Sequence, residues 1–85
     1  MPDIKKLFEE ASVAVKSLKK RPSDEDMLAL YALYKQATTG DVQGERPGFF
    51  DFVGGAKHDA WARLKRTSNA EAMTKYIAKV NALKG

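Results

Sequence analysis

An all-α fold of four helices is what this sequence predicts, and three observations carry the prediction. Apolar residues recur at helical spacing near both ends, as Ile4, Leu7, Phe8, Ala11, Val15 and Leu18, and as Ala72, Met73, Tyr76, Ile77, Val80 and Leu83. Ser23 and Ser68 each stand three residues before an acid, Asp26 and Glu71, as in a capping box at the start of a helix. A single long stretch rich in glycine and proline, Gly40 to Asp51, separates the second helical segment from the third. The sum is a compact four-helix domain with one long loop.

The first helix opens at Asp3, whose carboxylate suits a helix start, and its apolar period runs to Leu18. Lys16, Lys19, Lys20 and Arg21 gather near its end. Cations there complement the helix dipole, and they also form a basic cluster able to meet phosphate. Pro22 forbids continuation.

The second helix starts after Ser23 with the acidic turn Asp24, Glu25 and Asp26, and Gly40 follows its end as a left-handed cap. Leu30, Leu33 and Ala37 make one apolar stripe. Met27, Leu28, Tyr31, Tyr34 and Lys35 make a second, partly polar one. Ala29, Ala32 and Gln36 remain as the expected solvent strip. One stripe docks the helix; the second needs a partner. Its tyrosines are either core residues with locally bonded hydroxyls or ligand contacts, because an aromatic face beside Lys35 suits a base next to an anion.

In the loop, Pro47-Gly48 signals a turn in which glycine takes a positive φ. Phe49, Phe50 and Phe52 lead one to expect a loop packed onto the domain. The third helix should span about Val53 to Leu64, with Gly54 and Gly55 weakening its first turn. Lys57, Trp61 and Leu64 share a face beside Ala56 and Ala60, and Trp61 reads as a core anchor. His58 lacks ligand partners nearby in sequence and reads as a surface residue. The fourth helix matches the first in hydrophobic content, so the two should pack together.

With 85 residues, no cysteine and a net charge of +4, residues 1–85 read as one small domain without disulfides or thiolate metal sites. The charge favours an anionic partner without choosing among nucleic acid, phosphorylated metabolites and acidic membranes. No apolar run has the length of a membrane span and no signal peptide opens the chain, so a cytoplasmic protein is expected. One isolated histidine and no nucleophile–base arrangement argue against an enzyme. Asp41 and Asp51, flanking the loop, read as turn and cap residues.

Tyr34 to Trp61 makes the reading specific: YKQATTGDVQGERPGFFDFVGGAKHDAW. Tyr34-Lys35-Gln36-Ala37-Thr38, Gly40-Asp41, Arg46-Pro47-Gly48, Asp51, Ala56-Lys57 and Asp59-Ala60-Trp61 stand at the spacing of the acyl-CoA-binding protein family, which the chain closely resembles. The likeness extends to PSDEDML before this stretch and to Thr67-Ser68, Ala72-Met73 and Tyr76-Ile77 after it, so it spans almost the whole chain. The resemblance implies a four-helix up-down-down-up bundle that binds, buffers and transports medium- to long-chain acyl-CoA esters without cleaving them. It implies no cofactor, a monomer, no nucleic-acid partner, and transient partners among enzymes that make or use acyl-CoA and membrane surfaces.

By the same resemblance, Tyr31 contacts the phosphate region and Tyr34 the adenine, while Lys35 and Lys57 bind the ribose 3′-phosphate. Tyr76 joins the nucleotide site from the last helix, Lys16 adds a basic group, and Met27 and Leu28 cover the acyl chain. Ser12, Arg21, Val53, Gly55 and His58 depart from the family pattern; Val53 and Gly55 replace lysines and remove part of its positive charge. Two rival classes remain at this level. A small basic nucleic-acid module would use the Lys16–Arg21 cluster and stacking aromatics. A protein-interaction domain would use its second stripe to dock a partner helix.

Overall fold

The computed structural model describes residues 3–84. Its helices are α1 (Ile4–Ala14), α2 (Asp24–Thr38), α3 (Phe52–Ala62) and α4 (Asn69–Lys84). Three of the expected caps are present: the side chains of Asp3, Ser23 and Ser68 accept from the backbone N–H groups of Lys5, Asp26 and Glu71. Asp51 caps α3 by accepting from Gly54 N at 2.8 Å. Gly40 has φ +95°, the left-handed conformation expected after α2.

α1 ends earlier than its apolar period suggests. After Ala14 the chain tightens into a 3₁₀ turn, Val15–Ser17, and Leu18 is extended. Val15 stays against the core while the chain leaves towards α2. The last α-helical turn therefore holds no cation, and the helix dipole does not account for Lys19, Lys20 and Arg21.

The contacts give the topology. Between α2 and α3 they advance together, Lys57 over Tyr31 and then Lys35 over Trp61, so these helices run parallel. Between α2 and α4 they run oppositely, Asp26 with Lys79 and Gln36 with Asn69. The first half of α1 (Lys5, Phe8, Glu9) lies beside the end of α2 (Tyr34, Ala37, Thr38) and the start of α4 (Asn69, Met73). The order is up-down-down-up, and the long loop exists because parallel neighbours need a crossover along the helix length.

α2 packs on both α3 and α4, and α1 packs on α4 as expected. Phe8, Ala11, Leu30, Leu33, Ala37, Ala72, Tyr76 and Val80 form the core, ringed by Ala14, Val15, Leu64, Met73, Ile77 and Leu83. The central position of α2 overturns the expected solvent strip. Ala32 and Gln36 are buried and Ala29 is half-buried, because this strip faces α3.

The loop is tied down by polar bonds and not by its phenylalanines, which are exposed. Trp61, buried as expected, donates its Nε1–H to Gly40 O at 2.8 Å and to Gln36 Oε1 at 3.1 Å. Asp41 Oδ1 accepts from Gln36 Nε2 and from the Arg66 backbone N–H, and Arg66 takes a left-handed φ of 75° there. The turn after Pro47 closes from Asp51 N–H to Gly48 O, which places Phe49 and Phe50 at its centre. The positive φ values fall at Gly40 and Gly44 and not at Gly48. His58 is half-buried rather than on the surface, with Nε2 3.3 Å from Gly44 O and, among the described residues, no partner for the enclosed Nδ1.

Three carboxyls are held below their ordinary values. The Lys79 ammonium bonds Asp26, the Arg66 N–H and then the Gln36 amide bond Asp41, and the Arg46 guanidinium bonds Asp59. A depressed folded value means stability that is complete above the unfolded value and lost as pH falls through the folded one. Urea midpoints should therefore be level at neutral pH and drop below about pH 4, the ordinary carboxylate range. Asp41→Asn should flatten part of that drop, and an unchanged acid limb would count against this assignment.

Candidate functional site

The second stripe of α2 finds its partners in α3, α1 and α4. Tyr31 and Lys35, one turn apart, face α3. The Lys57 ammonium lies 5.1 Å from the centre of the Tyr31 ring, and the Lys35 ammonium 5.1 Å from that of Trp61. Each aromatic face holds a cation in place without neutralising it. Among the described residues neither Lys35 nor Lys57 takes part in an ion pair, whereas Lys75 and Lys79 do. Two neighbouring cations lacking counter-charges make a site for an anion.

Beside them stands an aromatic group. Tyr34 stacks on Phe8 with ring centres 5.4 Å apart, and Phe8 meets Tyr76 edge-on at 5.0 Å. Tyr34 is exposed and Tyr76 buried. Burial pushes the Tyr76 hydroxyl above its ordinary range and the neighbouring Tyr34 adds to this, so it stays a protonated donor. Tyr34 thus offers a ring surface suited to a planar base, with the cations of Lys35 and Lys57 along the same helix.

Of the residues singled out in the sequence, the fold pairs Lys57 with Tyr31, sets Lys35 over Trp61, and groups Tyr34 with Tyr76 around Phe8, Tyr76 being buried in the core. Met27 and Leu28 lie one turn before Tyr31 on α2; Met27 is exposed and Leu28 half-buried. Lys16 is exposed in the 3₁₀ turn, apart from the aromatic–cation contacts.

Two open grooves lie along α2. One, of about 470 Å³, is lined by Leu28, Ala29, Ala32, Leu33, Ala56, Ala60 and Leu64, with Glu25, Asp59 and Arg63 at its polar edge. It shares only Leu28 with the site residues named above and opens on the opposite flank of the α2–α3 pair from Tyr31 and Lys57. The other, of about 500 Å³, runs between Lys5, Phe8 and Glu9 of α1, Tyr34, Ala37 and Thr38 of α2, and Asn69 and Met73 of α4. The cation pair, rather than either groove, defines the site.

Several supporting residues carry no periodic signal. Arg46 reaches from the loop to Asp59 with Nε–Oδ1 at 3.0 Å and Nη2–Oδ2 at 3.1 Å, a fork that fastens the loop to α3. Gly55 makes room for it: a Cβ there would lie 2.7 Å from the guanidinium. The glycine that weakens the helix on propensity thus serves the loop. Asn69 donates to the carbonyls of Gln36 and Ala37 at 3.1 and 2.8 Å, joining the start of α4 to the end of α2. Ser12, a departure in the first helix, is satisfied locally by donating to Glu9 O at 2.7 Å.

The comparisons with known proteins agree with one another. The family model described as acyl CoA binding protein matches residues 5–80. Acyl-CoA-binding proteins of Brassica napus and Saccharomyces cerevisiae are 50% and 46% identical over 80 residues, which cover 94% of this chain and 87% and 92% of theirs. The crystal structure of Oryza sativa acyl-CoA-binding protein 2 superposes with a TM-score of 0.91 at 44% identity, covering 95% of this chain and 90% of that one. With the up-down-down-up topology and the paired cations already in place, the chain belongs to the acyl-CoA-binding protein family.

Proposed function

We propose that this protein binds medium- to long-chain acyl-CoA esters and carries them through the cell without cleaving them. The observation that carries the proposal is the pair of unneutralised cations, Lys35 and Lys57, held over Trp61 and Tyr31 beside the Tyr34 ring. Coenzyme A presents an adenine and phosphates to such a surface. Tyr34 faces the base, Lys35 and Lys57 take the ribose 3′-phosphate, and Tyr31 and Tyr76 donate hydroxyls to the nucleotide. Met27 and Leu28 shelter the acyl chain one turn away, and Lys16 adds positive charge to the field around the head group. The protein acts as a monomer in the cytoplasm, with acyl-CoA-producing and -consuming enzymes and membranes as transient partners.

The energetics assign separate roles to head and tail. Each buried methylene contributes about 0.8 kcal/mol before ordering costs. A hydrogen bond to a charged group adds about 1.5–3 kcal/mol. Affinity should therefore rise with acyl length, while the nucleotide sets specificity. Titration calorimetry with palmitoyl-CoA, free coenzyme A and palmitate checks this. Tight equimolar binding of the thioester with both controls far weaker is the expected result; equal affinity for palmitate would refute the role given to the cations.

A further inference from the structure

One exposed apolar surface supplies none of the residues assigned to that site. Phe49, Phe50, Phe52 and Val53 are 79%, 86%, 73% and 65% exposed. Single exposed apolar residues are ordinary, whereas a contiguous group marks an interaction surface. These four fall within one short run, and the rings of Phe49 and Phe50 lie edge to face with centres 5.4 Å apart. The one charge among them, Asp51, is engaged in capping α3, its Oδ1 accepting from Gly54 N at 2.8 Å. The tip is also held firmly: the turn closes from Asp51 N–H to Gly48 O, and the Arg46–Asp59 fork fastens the loop just before it.

The topology decides what lies near this tip. Because α2 and α3 run parallel, the start of α3 stands at the same end of the bundle as the start of α2. The basic turn from Lys16 to Arg21 leads directly into α2 and occupies that end too. Arg21 pairs with Asp24, and Asp26 with Lys79. Among the described residues, Lys16, Lys19 and Lys20 are in no ion pair.

We propose that Phe49, Phe50, Phe52 and Val53 form a tip that inserts into the interface of an anionic lipid bilayer, with Lys19 and Lys20 facing its head groups. A protein partner fits less well. Four such side chains expose roughly 500 Å², short of the ~800 Å² that each partner buries in a stable protein interface. Aromatic residues favour the bilayer interface, and unpaired lysines are drawn to its negative surface. The choice of a lipid surface rests on the acyl-CoA reading, since a ligand with a long alkyl tail partitions into membranes.

Sedimentation with vesicles of phosphatidylcholine containing about a quarter phosphatidylserine tests the proposal. The wild-type protein should bind, and the Phe49→Ser/Phe50→Ser double variant should bind at least about tenfold more weakly, equivalent to about 1.4 kcal/mol. Phe49→Trp/Phe50→Trp should restore binding, and brominated lipid should quench its added fluorescence but not that of buried Trp61. Palmitoyl-CoA affinity in vesicle-free solution should be the same in wild type and the serine variant. Unchanged vesicle binding in that variant, or none by the wild type, would overturn the proposal. So would self-association that the serines abolish, which would make a second copy the occupant, or a tenfold loss of palmitoyl-CoA affinity, which would make the tip part of the ligand site. Failure of palmitoyl-CoA to bind any form, with vesicle binding intact, would overturn the carrier reading and leave the tip assignment standing.

Discussion

Replacing Gln36 with leucine is expected to destabilise the protein by about 3 kcal/mol, a large share of the stability of a small domain. The side chain is 0% exposed. Its Nε2 donates to Asp41 Oδ1 at 2.9 Å and to Thr67 O at 2.8 Å, while its Oε1 accepts from Trp61 Nε1 at 3.1 Å. Leucine fills similar space but removes all three bonds. Trp61 keeps Gly40 O and Asp41 keeps the Arg66 N–H, so the loss is graded rather than total. Thr67 O, part-buried, loses its side-chain donor, and an acceptor left unmatched costs up to about 1–3 kcal/mol when fully shielded from water. Gln36→Glu, nearly isosteric, should be at least as damaging at neutral pH because it sets a second carboxylate against Asp41 and a carbonyl. Its deficit should shrink in acid as that carboxyl takes a proton. Urea denaturation followed by the fluorescence of Trp61, the only tryptophan, reads both variants directly. A leucine variant as stable as wild type would show that the loop is not anchored through this amide.

Lys35→Ala should weaken palmitoyl-CoA binding by about 10- to 100-fold, the worth of one hydrogen bond to a charged group. Stability should change by no more than about 1 kcal/mol, since Lys35 contributes a partly exposed contact with the Trp61 ring. Lys57→Ala should behave alike through Tyr31. Two cations that share one anion, as proposed, should make the double variant depart from the sum of the single effects in a mutant cycle. Raising the salt concentration should weaken wild-type binding more than that of the double variant, because fewer charges remain to be screened. Calorimetric titration of the four proteins measures every one of these terms. An alanine variant that folds normally and binds as tightly as wild type would remove Lys35 from the site.

These variants also separate two kinds of residue on α2. Lys35 and Gln36 are neighbours in the chain, yet one points its charge along a ring and the other is sealed between helices. On a helical wheel Gln36 belongs with Ala29 and Ala32 on a polar-looking strip. Nothing local distinguishes a glutamine facing solvent from one that joins α3, the loop and the start of α4.

What the sequence by itself determined is the local structure and its punctuation. Asp3, Ser23 and Ser68 start helices by bonding N–H groups two or three residues on, and Gly40 supplies the left-handed cap after α2. These interactions span a few residues, so residue type and spacing suffice to read them. The α1–α4 core is equally legible, because each helix carries one dominant apolar stripe. Family spacing also named the candidate site residues, and the fold pairs Lys57 with Tyr31 and Tyr34 with Tyr76.

Only the tertiary structure decided the rest. It turned Ala32 and Gln36 inward, since a helix packed on two sides has no polar face to spare there. It joined Arg46 to Asp59 over Gly55, a contact set by the crossover of the loop and invisible to helical periodicity. It also left Phe49, Phe50 and Phe52 in solvent, although their hydrophobicity alone argued for burial. Hydrophobicity measures the gain from leaving water, but whether a side chain leaves it depends on a surface being within reach. The turn from Gly48 to Asp51 aims Phe49 and Phe50 away from the bundle, and the polar anchors around Trp61 already hold the loop without them.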